Sequence, residues 1–194
     1  MTIEDPQLLR DVMSYEQDLQ KFGFETTGIQ ERYIFNSWDF FHIAKNRSVD
    51  RMHDASEGIL GNAISKILNS LAKEKILSLD VINSRIESFR YCQMEKSNKP
   101  RRLQYVKSKK GSEKLKIRQS ATEMLCLVRY LGLMIGDLVP AENEYWKLYI
   151  CLRQILGCLY LPRMNICQAA ELQKLIEKHN RLYLTSFGKL KPKC

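Results

Sequence analysis

Four polar side chains that could do chemistry lie within eight residues of one another: Asp50, His53, Asp54 and Glu57, in the stretch SVDRMHDASEG. Their spacing is i, i+3, i+4 and i+7, so on an α-helix all four project within an arc of roughly 100°. Carboxylates and an imidazole in this arrangement can ligate a divalent cation or position a water molecule. The same residues suit an ordinary helix start, because aspartate is a favoured N-cap and acidic residues stabilise a first turn. Spacing alone leaves both interpretations open.

A second group of functional candidates lies in the basic segment 95–118, where ten Lys or Arg residues against two Glu give a net charge of +8. The whole chain has a net charge of +9, so nearly all of it is local to this segment. Nine of these cations could neutralise phosphates of a nucleic acid, with Tyr105 available to stack on a base. They are Lys99, Arg101, Arg102, Lys107, Lys109, Lys110, Lys114, Lys116 and Arg118. The alternative is a solvated loop whose charges serve only solubility.

The elements that would position these residues are predicted to be mainly α-helical, because apolar residues recur at helical spacing. An apolar stripe follows Asp50, with members Met52, Ala55, Ile59, Leu60, Ala63, Ile64, Ile67, Leu68 and Leu71. Ser78 is expected to cap a second helix. Further helices are predicted to begin at Ser120 and Asn165, which are also favoured N-cap residues. Short connections between the last three helices predict an antiparallel bundle. The aromatic residues before Asp50 predict extended or loop structure with at most one or two short strands.

We therefore divide the chain into four segments. Residues 1–49 are expected to form an N-terminal helix and an extended aromatic segment, and residues 50–94 a helical segment with the Asp-x-x-His element. Residues 95–118, with Pro100 and Gly111, are expected to be a basic loop or linker. Residues 119–194 are expected to be a three-helix region.

Several function classes find no support in the sequence. There is no secretory signal pattern, and the most apolar run contains Arg129 and Asp137, so we expect a soluble intracellular protein without membrane contact. Phosphate-binding glycine loops and a nucleophile elbow are missing, which argues against nucleotide-dependent enzymes and esterases. The six cysteines have no zinc-ligand spacing.

The stretch VDRMHDASEGIL resembles the D-x-M-H-D-x-x-E-G signature of transposases of the CACTA (EnSpm) group of DNA transposons, in the form found in animal genomes. Further segments resemble the same family, among them FHIAKNRSVDRMHD, LSLDVINSRIESFRY followed by NKP, SATEMLCLVRYLGLMIGDLVP and HNRLYLTSFGKLKPK. The resemblance covers roughly residues 22–194, and the Met-His-Asp and SATEMLCLVRYLGLMIGDLVP segments are its most specific parts.

This resemblance implies part of an RNase H-like domain with a helical insertion, and DNA strand cleavage and transfer that depend on Mg²⁺ or Mn²⁺. It implies that Asp50, His53 and Glu57 belong to the catalytic site, with Asp50 and His53 as metal ligands. It also implies DNA as the partner, self-association with a second copy, and a nuclear location.

The departures from the family pattern modify this expectation. Family members are several times longer and place a first catalytic aspartate on an early β-strand, for which residues 1–49 offer no setting. We therefore expect a truncated, non-catalytic DNA- or protein-binding nuclear protein derived from a transposase, without a cofactor. The alternatives are a metal-dependent transposase or nuclease and a non-functional remnant.

Overall fold

The chain is mainly helical, as the apolar spacing predicts. A computed structural model describes residues 10–21, 27–46, 50, 52–107 and 113–188. The chain divides into two units, residues 1–49 and residues 50–194. Within the described ranges, no helix is both long and apolar enough to cross a membrane.

In the first unit, helix α1 spans Val12–Leu19 and begins at Asp11, whose carboxylate accepts a hydrogen bond from the Ser14 backbone N–H. A 3₁₀ turn at Ile34–Ser37 and a single-turn helix α2 at Ile43–Asn46 follow it. Among the described residues of this unit, only Tyr15 is buried. The described part of this unit therefore buries little apolar surface.

No strand is found in residues 27–46, which agrees with the expectation of at most one or two short strands, but two short helical stretches and turns form there where extended backbone is also expected. Amide side chains instead fold the backbone into turns. Asn36 Oδ1 accepts a hydrogen bond from the Ile43 N–H at 2.8 Å, and Asn46 Oδ1 accepts one from the His42 N–H at 2.8 Å. Such local side-chain partners compete with strand ladders for the backbone, and here they outweigh the β-propensity of the aromatic residues.

The second unit begins with a π-helix, Met52–Leu60, which continues into helix α3, Gly61–Lys73. The i→i+5 hydrogen bonds of a π-helix turn the backbone less per residue than those of an α-helix, so side chains leave the α-helical register. Met52 and Ile59 are 43% and 58% exposed, although the apolar stripe predicts them on the inner face. From Leu60 to Leu71 the stripe is buried as predicted.

Among the described residues of the second unit, four more α-helices follow, and each begins at a residue whose side chain accepts hydrogen bonds from the first-turn amides. Ser78, Ser120, Asn143 and Asn165 are these caps. The helices are α4 (Leu79–Ser88), α5 (Ala121–Ile135), α6 (Glu144–Leu159) and α7 (Ile166–Phe187). The caps at Ser78, Ser120 and Asn165 are those that the sequence predicts.

One apolar core lies within this second unit. Its fully buried members come from the facing sides of four helices, for example Ile67 of α3, Ile86 of α4, Leu131 of α5 and Tyr149 of α6. The Tyr149 hydroxyl donates to the Val128 carbonyl at 3.0 Å, so its polar atom is satisfied inside the core.

The basic segment also contributes to this core, which the prediction of a loop or linker does not anticipate. A 3₁₀ helix at Gln93–Asn98 precedes two antiparallel strands, β1 (Tyr105–Lys107) and β2 (Glu113–Leu115). We call residues 101–107 and 113–119 the ribbon. Its inner positions Leu103, Leu115 and Ile117 are buried against the helices. These three apolar side chains hold the segment on the core despite its high charge.

Candidate nucleic-acid interface

Two asparagine side chains of the helical core hold the ribbon in place. Asn83 Oδ1 accepts a hydrogen bond from the Leu103 N–H at 2.8 Å, and Asn83 Nδ2 donates to the Leu103 carbonyl at 3.0 Å. Asn69 makes the same double hydrogen bond with Leu115, at 3.0 Å for each bond. Each amide thereby satisfies one donor and one acceptor of an edge-strand backbone beside the core.

The side chains of Gln119 and Ser65 also hydrogen-bond the ribbon backbone, and we call all of these side-chain contacts the clamps. Gln119 Oε1 accepts from the Arg101 N–H at 2.9 Å, and Gln119 Nε2 donates to the Arg101 carbonyl at 2.7 Å. Ser65 Oγ accepts from the Ile117 N–H at 3.1 Å. The ribbon is therefore a positioned part of the second unit, and its outward side chains have a defined direction.

The structure separates the nine predicted phosphate-binding residues into three groups. In the first group the cations contact acceptors of the protein itself. Arg101 forms an ion pair with Glu123 at 2.9 Å, Arg102 pairs with Glu87 at 3.0 Å, and Lys99 Nζ donates to the Glu87 carbonyl at 3.2 Å. Their charges are partly satisfied within the fold.

The second group is a row of three exposed cations on one edge of the ribbon. Lys114, Lys116 and Arg118 alternate with the buried residues Leu115 and Ile117, so all three project away from the core. None of the three forms an ion pair with a described residue. These cations are available to an external anion.

The third group cannot be placed. Lys109 and Lys110 lie outside the described residues, and so does the side chain of Lys107. Their assignment to DNA binding stays a prediction.

Tyr105 does not share the face of the exposed cations. It pairs across the strands with Leu115, whereas Lys114 pairs with Val106. Directly opposite residues of an antiparallel pair lie on the same face of the sheet, and successive residues alternate between faces. Tyr105, which is 44% exposed, therefore lies on the same face of the ribbon as Leu115 and away from Lys114 and Lys116. The expected combination of Tyr105 stacking with these phosphate contacts is not supported.

The Asp50 element has a different geometry from the helix assumed in the sequence prediction. Asp50 Oδ1 accepts from the Met52 N–H at 2.9 Å and the His53 N–H at 3.2 Å, so the aspartate caps the π-helix. Asp50 Oδ2 lies 2.6 Å from His53 Nδ1, and His53 Nε2 lies 4.0 Å from Glu57 Oε2. The capping interpretation of Asp50 is thus confirmed, and both of its carboxylate oxygens have partners.

These contacts shift the pKa values of Asp50 and His53, whose side chains are both exposed. The hydrogen bond with Asp50 raises the pKa of His53, and the charges of Asp50 and Glu57 raise it further. The hydrogen bond with the His53 ring, followed by that with the His53 backbone N–H, lowers the pKa of Asp50. The side chains of His53 and Asp50 remain 60% and 56% exposed, so water screens the pair.

The arrangement does not fit a metal centre as it stands. Asp50 and His53 direct ligating atoms at each other and at the helix terminus, and Mg²⁺ prefers a set of oxygen ligands. Within the part of the chain that the structure describes, no group of three or more His, Cys, Asp or Glu side chains is placed to hold a metal ion. The metal and catalytic assignments of Asp50, His53 and Glu57 stay predictions.

Comparison of the chain with protein-family models, curated proteins and solved structures gave no match.

Sequence reasoning missed the side chains that fix both regions. Nothing in the sequence marks the anchoring role of Asn69, Asn83 and Gln119, because their partners lie 18 to 46 positions away in the chain. The sequence also gives no sign that Ser56 is buried; it is 2% exposed, and its hydroxyl lies 2.7 Å from that of Tyr160. One signal was available for the ribbon: the alternation of Leu115 and Ile117 with basic residues is a strand pattern.

Proposed function

We propose that this chain is a transposase-derived nuclear protein that binds duplex DNA through the ribbon and does not cut it. The observation that supports binding most directly is the row of Lys114, Lys116 and Arg118 on the clamped segment that begins with β2 and continues past its end. Residues two apart on a strand are about 6.6–6.8 Å apart, so the row presents regularly spaced cations to a phosphate chain. The transposase origin rests on the motif resemblance.

The clamps strengthen this proposal, because a cation on a fixed backbone loses less conformational entropy on binding than one on a mobile loop. The Asn83 and Asn69 amides fix the backbone immediately beside the row. The same contacts also serve stability, so binding has to be measured.

The absence of cleavage is proposed from the role of Asp50. Its carboxylate caps the π-helix and bonds the His53 ring, which accounts for this aspartate without chemistry. Metal-dependent cleavage would need these two side chains to leave their present partners.

Fluorescence anisotropy with a labelled duplex, repeated over a range of salt concentrations, tests the binding proposal. The variant Lys114→Gln/Lys116→Gln/Arg118→Gln should bind more weakly than wild type. Its slope of log affinity against log salt should be smaller by roughly 2 to 3, since each phosphate contact contributes about 0.9.

A matched control removes the same charge elsewhere. Lys174, Lys178 and Arg181 are exposed on helix α7, and their triple glutamine variant should keep the wild-type slope. If both triple variants lower the slope equally, binding follows net charge and the ribbon is not the interface. If wild type neither binds DNA nor unfolds cooperatively, the chain is a non-functional remnant.

A nicking assay on supercoiled DNA with Mg²⁺ or Mn²⁺ tests the absence of cleavage. The useful variants are Asp50→Asn, which keeps a side chain that can cap the helix, and His53→Ala. We expect no metal-dependent nicking by any of the three proteins. Nicking by wild type that both substitutions abolish would contradict the proposal and restore the nuclease alternative.

A further inference from the structure

The strand register extends beyond the paired residues and defines one outer face of the ribbon. Tyr105 lies opposite Leu115, and the same register continued by two residues places Leu103 opposite Ile117, both of which are buried. Two residues further along lie Arg101 and Gln119, where the Gln119 side-chain amide makes a double hydrogen bond with the Arg101 backbone, so the two segments stay adjacent there. The intervening positions are therefore Gln104 opposite Lys116 and Arg102 opposite Arg118.

Gln104 occupies the centre of this outer face. Its neighbours across and along the ribbon are cationic or apolar: Lys116 lies opposite, and Arg102 and Val106 lie two residues away on the same strand. Gln104 is exposed and has no hydrogen-bond partner among the described residues. A free amide, with both a donor and an acceptor, thus projects from the middle of a positively charged face.

The dimensions of the ribbon favour one groove of duplex DNA. Two paired strands are about 4.8 Å apart before side chains are added. The major groove of B-DNA, about 12 Å wide and 8.5 Å deep, admits a two-stranded ribbon, whereas the minor groove is only about 6 Å wide. The deep, narrow major groove of A-form RNA does not admit side chains. Cations on the β2 side would meet one wall of the DNA groove while Gln104, on the β1 side of the same face, meets the base edges.

We infer that the outer face of the ribbon enters the major groove of duplex DNA and that Gln104 reads an adenine there. A glutamine amide can bond the N7 and N6 atoms of adenine with its donor and acceptor together, which no other base edge matches as well. Lys114, Lys116 and Arg118 would position the ribbon on the phosphates without reading sequence. This inference rests on the proposed DNA binding and adds a specificity-determining residue to it.

Selection from a pool of randomised duplexes tests the inference with the full chain. Wild type should enrich sequences with adenine at one position, and Gln104→Ala should lose that enrichment while it keeps the salt dependence of wild type. Gln173→Ala is the control, because Gln173 is an exposed glutamine on helix α7 that has no partner in the described ranges. It should select the same sequences as wild type.

The atomic contact is tested on the selected duplex by replacing the adenine with 7-deazaadenine, which lacks the N7 acceptor. The replacement should weaken wild-type binding about tenfold, near the lower end of the range for a bidentate base contact because only one of its two hydrogen bonds is lost, and should have little effect on Gln104→Ala. An equal loss for both proteins, or selection without any preference, would overturn the inference.

These outcomes are separate from failure of the proposed function. Salt-dependent binding that requires Lys114, Lys116 and Arg118, but shows no effect of Gln104, leaves DNA binding in place and removes the adenine contact. Binding that does not depend on these three cations overturns both. Equal preference for an RNA duplex would contradict the major-groove geometry.

Discussion

At the residue scale, Asn83 ties the basic surface to the core through a buried side-chain amide. It is 2% exposed and satisfies both the N–H and the carbonyl of Leu103, so neither group reaches water. A buried polar group that loses its partner costs about 1–3 kcal/mol, and here two groups depend on one amide.

We expect Asn83→Ala to lower the free energy of unfolding by about 2–4 kcal/mol, because it leaves the Leu103 N–H and carbonyl without partners. Urea unfolding followed by circular dichroism measures this. Asn62→Ala is the control, since Asn62 is exposed and, among the described residues, bonds only the Gly58 carbonyl of the preceding π-helix, at 3.4 Å. A similar, small cost for both substitutions would show that Asn83 does not anchor the ribbon.

His53 and Asp50 give a second expectation at this scale. The folded-state pKa of His53 lies above its ordinary 6.5, so its contribution to stability is complete below about pH 6.5 and is lost as the pH rises through the folded-state pKa. The folded-state pKa of Asp50 lies below 3.8, so its contribution is present above about pH 3.8 and is lost as the pH falls through the folded-state pKa.

An NMR titration of the His53 ring checks this pair. In wild type the His53 pKa should lie above 6.5, and in Asp50→Asn it should fall towards that value, because the carboxylate that stabilises the imidazolium is gone. Glu57→Gln should lower the pKa of His53 less, since Glu57 acts on the ring only through its charge. An unchanged His53 pKa in Asp50→Asn would mean that the two side chains are not paired in solution.

At the element scale, Gly58 in the π-helix and Gly61 in α3 differ in the space available for a side chain, although nothing in the sequence separates them. A Cβ at Gly58 would lie 3.1 Å from the His53 carbonyl oxygen, which is five residues back in the same π-turn. A Cβ at Gly61, in the first turn of α3, would meet only the Met124 side chain at 3.7 Å and the Ile117 carbonyl at 4.0 Å. The first contact is tight backbone crowding, and the second is ordinary van der Waals contact.

We expect Gly61→Ala to raise the free energy of unfolding by about 0.5–1 kcal/mol, because alanine restricts the unfolded chain and favours a helix. Gly58→Ala should bring no such gain, since its methyl group would press on the His53 carbonyl. Thermal or urea unfolding of both variants makes the comparison. An equal gain at both positions would mean that Met52–Leu60 is an α-helix in solution.

The helices and the ribbon also differ in how far the sequence could predict them. Helices α4, α5 and α7 were predictable because their caps and apolar spacing are local signals. The π-helix was not, since no residue pattern marks i→i+5 hydrogen bonding. The ribbon has strands of only three residues, and its stability depends on Asn69 and Asn83, which reach it from distant helices. The resulting surface, with Gln104 at its centre, requires a register that only the structure gives.

At the scale of the whole molecule, charge and core are concentrated in the same unit. Residues 1–49 contain five Lys or Arg against eight Asp or Glu, a net charge of −3, so residues 50–194 have a net charge of +12. The apolar core lies in this second unit as well. A surplus of positive charge steers association with nucleic acid, and here the surplus lies in the unit that contains the apolar core.

The most direct test of the account is an NMR titration of the ¹⁵N-labelled full chain with duplex DNA. If the ribbon is the interface, the largest chemical-shift changes should fall on the backbone amides of Gln104, Val106, Lys114, Lys116 and Arg118, and the changes should weaken as salt is added. Helix α7, with its own exposed cations, serves as the internal control and should change little. Changes centred on residues 50–57, or spread evenly over all exposed cations, would contradict the account.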